Sequence, residues 1–246
     1  MLSENAKAWN LYSPSYQAHA NLSTDVVSYG PNVATEAELH LLGNLSGKRV
    51  VELGCGGGQS AIALARQGAH VIGIDISARQ LDHARKLATD ERVTVELHRG
   101  DAADLAFVAA NTVDLVLSTY VFHEIEDIGR VLRQAHRILT RNGMVVVSVP
   151  HPAAGIQEGV SYFDTGPTIE VRDGISFSCH PRTIGELFNV LSRAHFQTDM
   201  IVEPTPTIGS SEPPGTTRGR SKAKPAEPTP AIAPPTLILR ARKLGI

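Results

Sequence analysis

The chain has 246 residues, of which 42% are hydrophobic and 20% charged, and its formal net charge is -2. This length suits one α/β domain with appendages, and a core of that size needs no disulfide or metal for stability. The charge excludes a strong overall attraction to nucleic acid. Cys55 and Cys179 show neither a metal-ligand spacing nor a disulfide framework. Because "MLSENAKAWNLYSPSYQ" has no apolar core and no long apolar stretch follows, we expect a cytoplasmic protein without a membrane span.

The first 45 residues are polar and mostly helical in pattern, with the aromatic residues Trp9, Tyr12 and Tyr16. We predict that residues 1–45 form a helical lid segment. From residue 46 onward, short β-branched runs alternate with amphipathic stretches. Strands are predicted at "KRVVEL", "HVIGID", "VTVELH", "VDLVLST" and "MVVVSV". Helices are predicted between them at "QSAIALARQ", "ARQLDHARKLAT" and "DIGRVLRQAHRILT", the last ended by a turn at Asn142-Gly143.

A further helix, "TIGELFNVLSRA", and two strands, "QTDMIVE" and "TLILRAR", complete the pattern. Alternating strands and helices predict a doubly wound, Rossmann-like α/β fold whose parallel sheet is covered on both faces. We predict that residues 46–203 and 235–246 form this domain. Residues 204–234, rich in Pro, Ser, Thr and Lys, are expected to be a disordered insertion. Ligands of such sheets bind beyond the carboxyl ends of the strands, so residues that follow a strand are candidate site residues.

The stretch "VVELGCGGGQS", residues 50–60, places a glycine loop directly behind the first strand. A P-loop needs a Lys followed by Ser or Thr, and none follows Gly58. A dinucleotide fingerprint fits incompletely, because Gln59 stands where Gly or Ala is expected, although Asp75 has the spacing of a ribose-binding acid. Glu52 would repel a pyrophosphate and suits a cationic ligand. These residues favour a cationic cofactor and leave a dinucleotide as the alternative.

Five successive motifs carry a resemblance to a known family. "VVELGCGGG" resembles the first motif of class I S-adenosylmethionine-dependent methyltransferases. "VIGIDIS", "LHRGDAADL", "VDLVLSTYVFHEIED" and "RILTRNGMVVVS" resemble the four motifs that follow. The resemblance covers roughly residues 35–203 and resumes at "TLILRAR". It implies a seven-stranded sheet, mostly parallel with an antiparallel last strand, and S-adenosylmethionine as the cofactor.

The resemblance also implies a cofactor site along the carboxyl edge of the sheet. Asp75 is placed for the ribose hydroxyls and Asp101 for the adenine amino group. Glu52 and the glycine loop are placed for the amino-acid end of the cofactor. The complete predicted set is Tyr16, Glu52, Gly54, Cys55, Gly56, Gly58, Asp75, Ile76, Gln80, Asp101, Ala102 and Ser118, and no metal ligand is predicted.

Two histidines are candidate catalytic residues. His123 follows the fourth predicted strand and His151 follows the fifth, and histidine is the natural base near neutral pH. The structural alternatives are a cap or an adenosine contact for His123 and a loop hydrogen bond for His151. Tyr162 and Phe163 lie in the segment that builds the acceptor pocket in this superfamily. They suit a small planar or apolar acceptor, or they pack on the core.

We therefore predict a methyltransferase that acts on the oxygen, nitrogen or carbon of a small molecule. Its motifs resemble those of ubiquinone-biosynthesis and natural-product methyltransferases. A tRNA or rRNA methyltransferase is the first alternative, although the charge balance and the lack of an Asn-Pro-Pro-Tyr motif argue against it. An NAD-dependent oxidoreductase and a catalytically silent S-adenosylmethionine binder are the others. The sequence indicates no nucleic-acid partner and leaves the acceptor and the oligomeric state open.

Overall fold

The computed structural model describes residues 3–20, 22–207 and 233–245, with the side chains of residues 157 and 158 excepted. Within these ranges the strands form one large sheet and one hairpin. In chain order the strands are β1 Arg49–Leu53, β2 His70–Asp75, β3 Glu96–Arg99, β4 Val113–Thr119, β5 Leu139–Pro150, β6 Thr168–Arg172, β7 Ile175–Cys179, β8 Phe196–Val202 and β9 Thr236–Lys243. The α-helices are α1 Glu4–His19, α2 Glu36–Leu39, α3 Gln59–Arg66, α4 Ala78–Asp90, α5 Ile128–Ile138 and α6 Ile184–Arg193.

The large sheet has seven strands in the order β3-β2-β1-β4-β5-β9-β8. Every neighbouring pair from β3 to β5 is parallel. The last strand, β9, is antiparallel to both of its neighbours, β5 and β8. This arrangement confirms the predicted fold class, a doubly wound sheet of seven strands that is mostly parallel with an antiparallel last strand.

Two apolar layers cover the faces of the sheet. On one face, β1 and β4 pack against α5 and α6. The buried residues of α5 repeat with a period of 3.6, and Asp127 caps the helix by accepting a hydrogen bond from the Arg130 amide at 2.8 Å. On the other face, α3 packs together with the segment from Val27 to Leu45. Both faces are therefore buried, as the near-continuous apolar strands predict.

The N-terminal region divides into two parts that pack differently. Helix α1 packs on β7 and on α4, so it lies over one edge of the sheet. The segment from Val27 to Leu45 belongs to the apolar layer that covers the sheet itself. The lid description fits α1, whereas Val27 to Leu45 contributes to the core, and the domain boundary at residue 45 stays a prediction.

Two details differ from the sequence-based prediction, and a third prediction falls mostly outside the described residues. Strand β5 begins at Leu139, so Asn142-Gly143 lies inside the strand and does not end α5 in a tight turn. The pairing of β5 with β4 is irregular there, between Val113 and Leu115 of β4. The hairpin of β6 and β7 was not predicted. Most of the predicted insertion, residues 208–232, lies outside the described residues. Within the described ranges no helix is long and apolar enough to cross a membrane.

Candidate functional site

The glycine loop after β1 is held against the end of β2. The amides of Gly54 and Cys55 both donate to the Ile74 carbonyl oxygen, at 2.7 and 3.0 Å. Gly54 has a φ of +69°, and a Cβ there would lie 2.2 Å from a methyl carbon of Val121. Gly58 has a φ of +83° and begins α3. Positive φ and close contact together require glycine at Gly54, because a side chain would both strain the backbone and clash.

Two carboxylates, Glu52 and Asp75, lie at the ends of β1 and β2 and are both buried. The two oxygens of Asp75 accept hydrogen bonds from the amides of Gly56 and Ser77, each at 2.8 Å. By contrast, Oε2 of Glu52 is buried with no hydrogen-bond partner among the described residues. Burial and the neighbouring Asp75 raise the pKa of Glu52 to about 8. The site therefore holds two buried acidic groups, and near pH 7 the Glu52 carboxyl group is mostly protonated because it is buried and has no counter-charge.

The raised pKa of Glu52 predicts a pH dependence of stability. Between the ordinary pKa of 4.5 and a folded-state pKa of about 8, the folded protein holds a proton that the unfolded chain has lost. The contribution of Glu52 to the free energy of unfolding should therefore be greatest at low pH and fall as the pH rises through this window. Urea unfolding of the wild type and of Glu52→Gln, without cofactor, measures it at pH 5, 6.5 and 8.

Glutamine in the Glu52→Gln variant does not titrate, so the difference in stability between the two proteins isolates the carboxyl group. We expect the wild type to lose stability relative to the Glu52→Gln variant as the pH rises from 5 to 8. A difference that stays constant over the whole range would contradict the assignment of a raised pKa to Glu52.

Helix α1 closes over the glycine loop through a chain of side-chain amides. Gln17 donates to the side chain of Gln80 and accepts from that of Gln59, both at 2.7 Å. A Cβ at Gly57 would lie 2.4 Å from the Gln17 amide nitrogen, so Gln17 rests directly on the loop. The sequence analysis missed Gln17, because a lone glutamine in a polar helix belongs to no motif. Its contact with Gly57 makes it a candidate site residue.

Tyr16 lies one residue before Gln17 on the same helix and packs in the aromatic cluster of α1. Its ring packs on Trp9 with a centroid separation of 5.4 Å. Burial raises the pKa of Tyr16 to about 12, with Tyr12 as a further cause and Asp75 as a smaller one. Tyr16 is therefore a neutral phenol, and its place at the cofactor site stays a prediction.

The remaining predicted cofactor residues lie after β2 and β3 or within β4, and they differ in exposure to solvent. Gln80 is buried on α4 in the amide chain, and Ile76 follows Asp75. Asp101 is exposed after β3 and accepts from the Ala103 amide at 2.7 Å, and Ala102 beside it is buried. Ser118 is fully buried and donates to the Leu53 carbonyl oxygen at 3.1 Å, so its hydroxyl holds β4 to β1.

Cys55 is a buried filler of the glycine loop. A Cβ at Gly73 of β2 would lie 2.9 Å from the Cys55 sulfur, so the thiol occupies the space that Gly73 leaves. Burial, together with Glu52, raises the pKa of the thiol well above its ordinary value. The thiol is therefore protonated and unsuited to nucleophilic attack.

A polar cluster lies beyond the end of β4, where β6 and β7 cover the turn that carries His123. Glu124 accepts a hydrogen bond from the Trp9 indole at 2.6 Å and forms an ion pair with Arg172 at 2.8 Å. The Arg172 guanidinium also binds Glu170 through two hydrogen bonds of 2.9 and 2.7 Å. Residues of α1, the post-β4 turn and the hairpin thus meet in one ion-pair network.

His123 is the imidazole of this cluster. A nitrogen of the ring, Nε2, lies 3.8 Å from the Glu124 carboxylate, and Nδ1 is buried with no hydrogen-bond partner among the described residues. Burial lowers the pKa of His123, against the opposing effect of Glu124. The ring is therefore neutral near pH 7 and retains a nitrogen that can accept a proton or another ligand.

His151 occupies a different environment behind β5. Its Nδ1 accepts a hydrogen bond from the Ala153 amide at 3.1 Å, and its Nε2 lies 2.8 Å from a Glu203 carboxylate oxygen. The first contact requires a lone pair on Nδ1, so the proton of the neutral ring is on Nε2 and faces Glu203. Both nitrogens of this buried ring are thus engaged in holding the loop after β5.

Fold and site together define an α/β protein whose candidate ligand site lies at the carboxyl edge of β1 and β2. Comparison with known proteins narrows the class. Residues 51–147 match the family model described as a methyltransferase domain. The chain is 36% identical to the ubiquinone biosynthesis O-methyltransferase of Azorhizobium caulinodans, over 42% of this chain and 41% of that protein. It is also 27% identical to an uncharacterized protein of Haemophilus influenzae, over 77% of this chain and 83% of that one.

A solved structure gives the same result for the fold. The S-adenosylmethionine-dependent methyltransferase of Mesorhizobium loti aligns with a TM-score of 0.63 and 24% identity, over 83% of this chain and 94% of that one. The chain therefore resembles a methyltransferase domain over residues 51–147 and shares its fold with a protein whose cofactor is S-adenosylmethionine. It spans about four-tenths of the length of the O-methyltransferase it matches.

The residues at the edge of the sheet fit this cofactor. A sulfonium ion and an α-amino group are cationic, and Glu52 offers them a buried carboxylate oxygen that has no protein partner among the described residues. A dinucleotide would leave Glu52 protonated and would bring a pyrophosphate towards the Asp75 carboxylate, which is electrostatically unfavourable. The observed acidic pair therefore agrees with S-adenosylmethionine and disfavours NAD.

Proposed function

We propose that this protein methylates a hydroxyl or another nucleophilic group of a small organic molecule. The observation that carries this proposal is the position of His123. It lies directly after β4 at the ligand edge of the sheet, and α1 and the β6–β7 hairpin pack around it. A site with such a cover suits a small acceptor better than a nucleic-acid strand. The O-methyltransferase relative, whose printed role is in ubiquinone biosynthesis, supports the same substrate class.

The residues of the chain have distinct tasks in this reaction. S-adenosylmethionine, when bound, supplies a methyl group on a positively charged sulfur. Glu52, Asp75 and the glycine loop bind and orient it, and α1 excludes water above the loop. A lone pair of the acceptor forms the new bond to the methyl carbon, and the electrons of the broken C–S bond stay on sulfur. Alignment of the two reactants and exclusion of water supply most of the acceleration.

In this proposal His123 contacts the methyl acceptor and promotes loss of its proton. A hydroxyl acceptor must lose its proton, and a neutral imidazole at the reacting edge is suited to promote that loss. His151 remains a predicted contact of the acceptor loop, but the hydrogen bonds of both its nitrogens favour a positioning role. The Tyr162 hydroxyl accepts a hydrogen bond from the Ile184 amide at 3.0 Å. This contact ties the segment between β5 and α6 to the start of α6.

A screen for methyl transfer tests the substrate class. The purified protein is incubated with S-adenosylmethionine labelled on the methyl group and with separate small-metabolite and RNA fractions of a cell extract. We expect label in the small-metabolite fraction. Label in RNA alone would contradict the proposal and favour an RNA methyltransferase, and no label in either fraction would favour a silent binder.

Replacing His123 with Gln should lower kcat for the acceptor found in that screen by about a hundredfold or more, the usual contribution of a group that assists proton transfer. The affinity for S-adenosylmethionine should change less than about twofold, because His123 lies outside the glycine loop. His98→Gln, on the exposed side of β3, is the matched control. Equal kcat values for His123→Gln and the wild type would remove His123 from the reaction.

A further inference from the structure

Three side chains of different chemistry converge beside the turn after β4. A ring nitrogen of His123, a carboxylate oxygen of Glu170 and the sulfur of Cys179 all lie within 4.8 Å of one another. His123 comes from the turn after β4, Glu170 from β6 and Cys179 from β7. The antiparallel pairing of β6 with β7 brings the last two together. Imidazole, carboxylate and thiolate are the ligands that zinc prefers in proteins. The set is separate from the glycine loop and from the acidic pair of Glu52 and Asp75.

The distance between two of these atoms matches a tetrahedral ion. The Cys179 sulfur lies 3.6 Å from Oε2 of Glu170. Zinc bonds of about 2.3 Å to sulfur and about 2.1 Å to oxygen, at a tetrahedral angle, place the two ligand atoms about 3.6 Å apart. The present contact is a thiol hydrogen bond, so an ion would replace the thiol proton without moving either atom far. The His123 nitrogen needs to approach by about 1 Å or less to complete such a set.

The charges of the cluster also suit a divalent cation. Glu124 and Glu170 carry two negative charges, and the guanidinium groups of Arg172 and Arg182 lie near the imidazole of the cluster. A Cys179 thiolate would add a third negative charge, which makes the cluster more favourable to a divalent ion. Arg172 binds both oxygens of Glu170, yet a carboxylate oxygen has two lone pairs and can serve Arg172 and an ion together. Glu170 is 51% exposed, which gives an ion a path from solvent.

An unsatisfied imidazole is the independent sign of a ligand here. Nδ1 of His123 is buried without a hydrogen-bond partner among the residues that the structure describes. Buried polar atoms in native proteins nearly always have a partner, so one that lacks it points to a bound group. Indole, guanidinium and carboxylates already form the surrounding network, and they fix the hairpin against the turn as the supporting partners of a metal site do.

We propose that His123, Glu170 and Cys179 bind one zinc ion. Three protein ligands leave the fourth tetrahedral position for an exchangeable group, the arrangement of catalytic zinc sites. On the basis of the proposed function, that position receives the acceptor hydroxyl or thiol, whose proton is lost to solvent on coordination. His123 then acts on the acceptor as a metal ligand, and a free imidazole base is not needed.

The test is metal binding by the full-length protein, without any acceptor. The protein is stripped with a chelator and titrated with Zn²⁺ by calorimetry, and with Co²⁺ by absorption spectroscopy. We expect one equivalent of Zn²⁺ and a thiolate-to-cobalt charge-transfer band. Cys179→Ser should remove the band, and Cys179→Ser, His123→Gln and Glu170→Gln should each weaken Zn²⁺ binding by about tenfold or more. Circular dichroism of each variant checks that it is folded.

Two control variants make the result specific. His98→Ala removes the exposed imidazole that pairs with Glu96, and Cys55→Ser removes the other thiol. Neither should change the Zn²⁺ stoichiometry or the cobalt spectrum. Absence of binding at one equivalent, a cobalt complex without the thiolate band, or loss of binding in His98→Ala alone would overturn the proposal.

The test also separates this inference from the proposed function. Zinc binding with no methylation of small molecules would uphold the metal site and reject its role towards the acceptor. Full methyl transfer by the chelator-treated protein would uphold the methyltransferase and reject the role of zinc towards the acceptor, and failure of that protein to bind Zn²⁺ would overturn the metal site.

Discussion

Replacing Asp75 with Ala is expected to weaken binding of S-adenosylmethionine by about a hundredfold or more. The carboxylate accepts two backbone hydrogen bonds, from Gly56 and Ser77, and so holds the glycine loop and the start of α4 together. Hydrogen bonds to a charged group contribute about 1.5–3 kcal/mol each. The proposed contact with the ribose hydroxyls is lost as well. A loss of about 2.7 kcal/mol already corresponds to a hundredfold change in Kd.

Asp82→Ala is the matched control for this experiment. Asp82 lies on the exposed side of α4 in an ion pair with Arg85, both more than half exposed. Its removal should leave the Kd for S-adenosylmethionine within about twofold of the wild type, because such surface pairs contribute little. Equal affinities for Asp75→Ala and the wild type would show that the ribose site lies elsewhere.

Replacing Glu36 with Ala should lower the free energy of unfolding by about 3 kcal/mol or more. Its carboxylate accepts hydrogen bonds from the Tyr29 hydroxyl at 2.6 Å and from the amides of Leu41 and Leu42 at 2.9 and 2.8 Å. Tyr29 is fully buried in the apolar layer, so its hydroxyl would lose a partner away from water. An unpaired buried polar group costs about 1–3 kcal/mol, and three groups are affected.

Glu38→Ala, two residues further along the same short helix, provides the comparison. Glu38 is exposed and completes the capping box with Thr35, so its removal should destabilise the protein less than removal of Glu36. Urea unfolding of both variants measures the difference. If Glu36→Ala destabilised the protein no more than Glu38→Ala, the Tyr29 network would not hold the N-terminal segment on the sheet.

Much of the sheet follows from local sequence. The helix α5 has a continuous apolar face and a capping aspartate, and β4 is a β-branched run that is buried on both sides, so tertiary contacts agree with local preference. Glu52 could be singled out because an acid ends an otherwise apolar strand. Its unpaired oxygen and its raised pKa required the structure, since the first depends on which donors surround it and the second on its burial and then on Asp75.

The hairpin escaped prediction because its polarity is reversed. Along β6, Ile169 and Val171 are exposed at 66% and 63% and Glu170 is half exposed, whereas the Arg172 side chain is largely buried in the ion-pair network. A strand that buries an arginine and exposes its apolar residues contradicts the usual rule for a half-buried strand. Glu124 supplies the reason, because it offers Arg172 a buried partner from another part of the chain.

The cluster around His123 escaped prediction for a related reason. Cys179 lies 56 residues after His123 by number, and no fixed spacing connects them to Glu170. Only the pairing of β6 with β7, and the packing of both on the turn after β4, bring the three side chains together. Sequence motifs detect ligands that a short segment presents in a fixed order, and this set has no such order.

Titration calorimetry of S-adenosylmethionine and NAD tests the cofactor site most directly. We predict one site for S-adenosylmethionine and no binding heat for NAD. A bound cation should lower the raised pKa of Glu52, so a proton should be released at pH 7, and the heats in two buffers of different ionisation enthalpy should differ by its amount. Glu52→Gln should release no such proton. Binding of NAD without binding of S-adenosylmethionine would contradict the assignment.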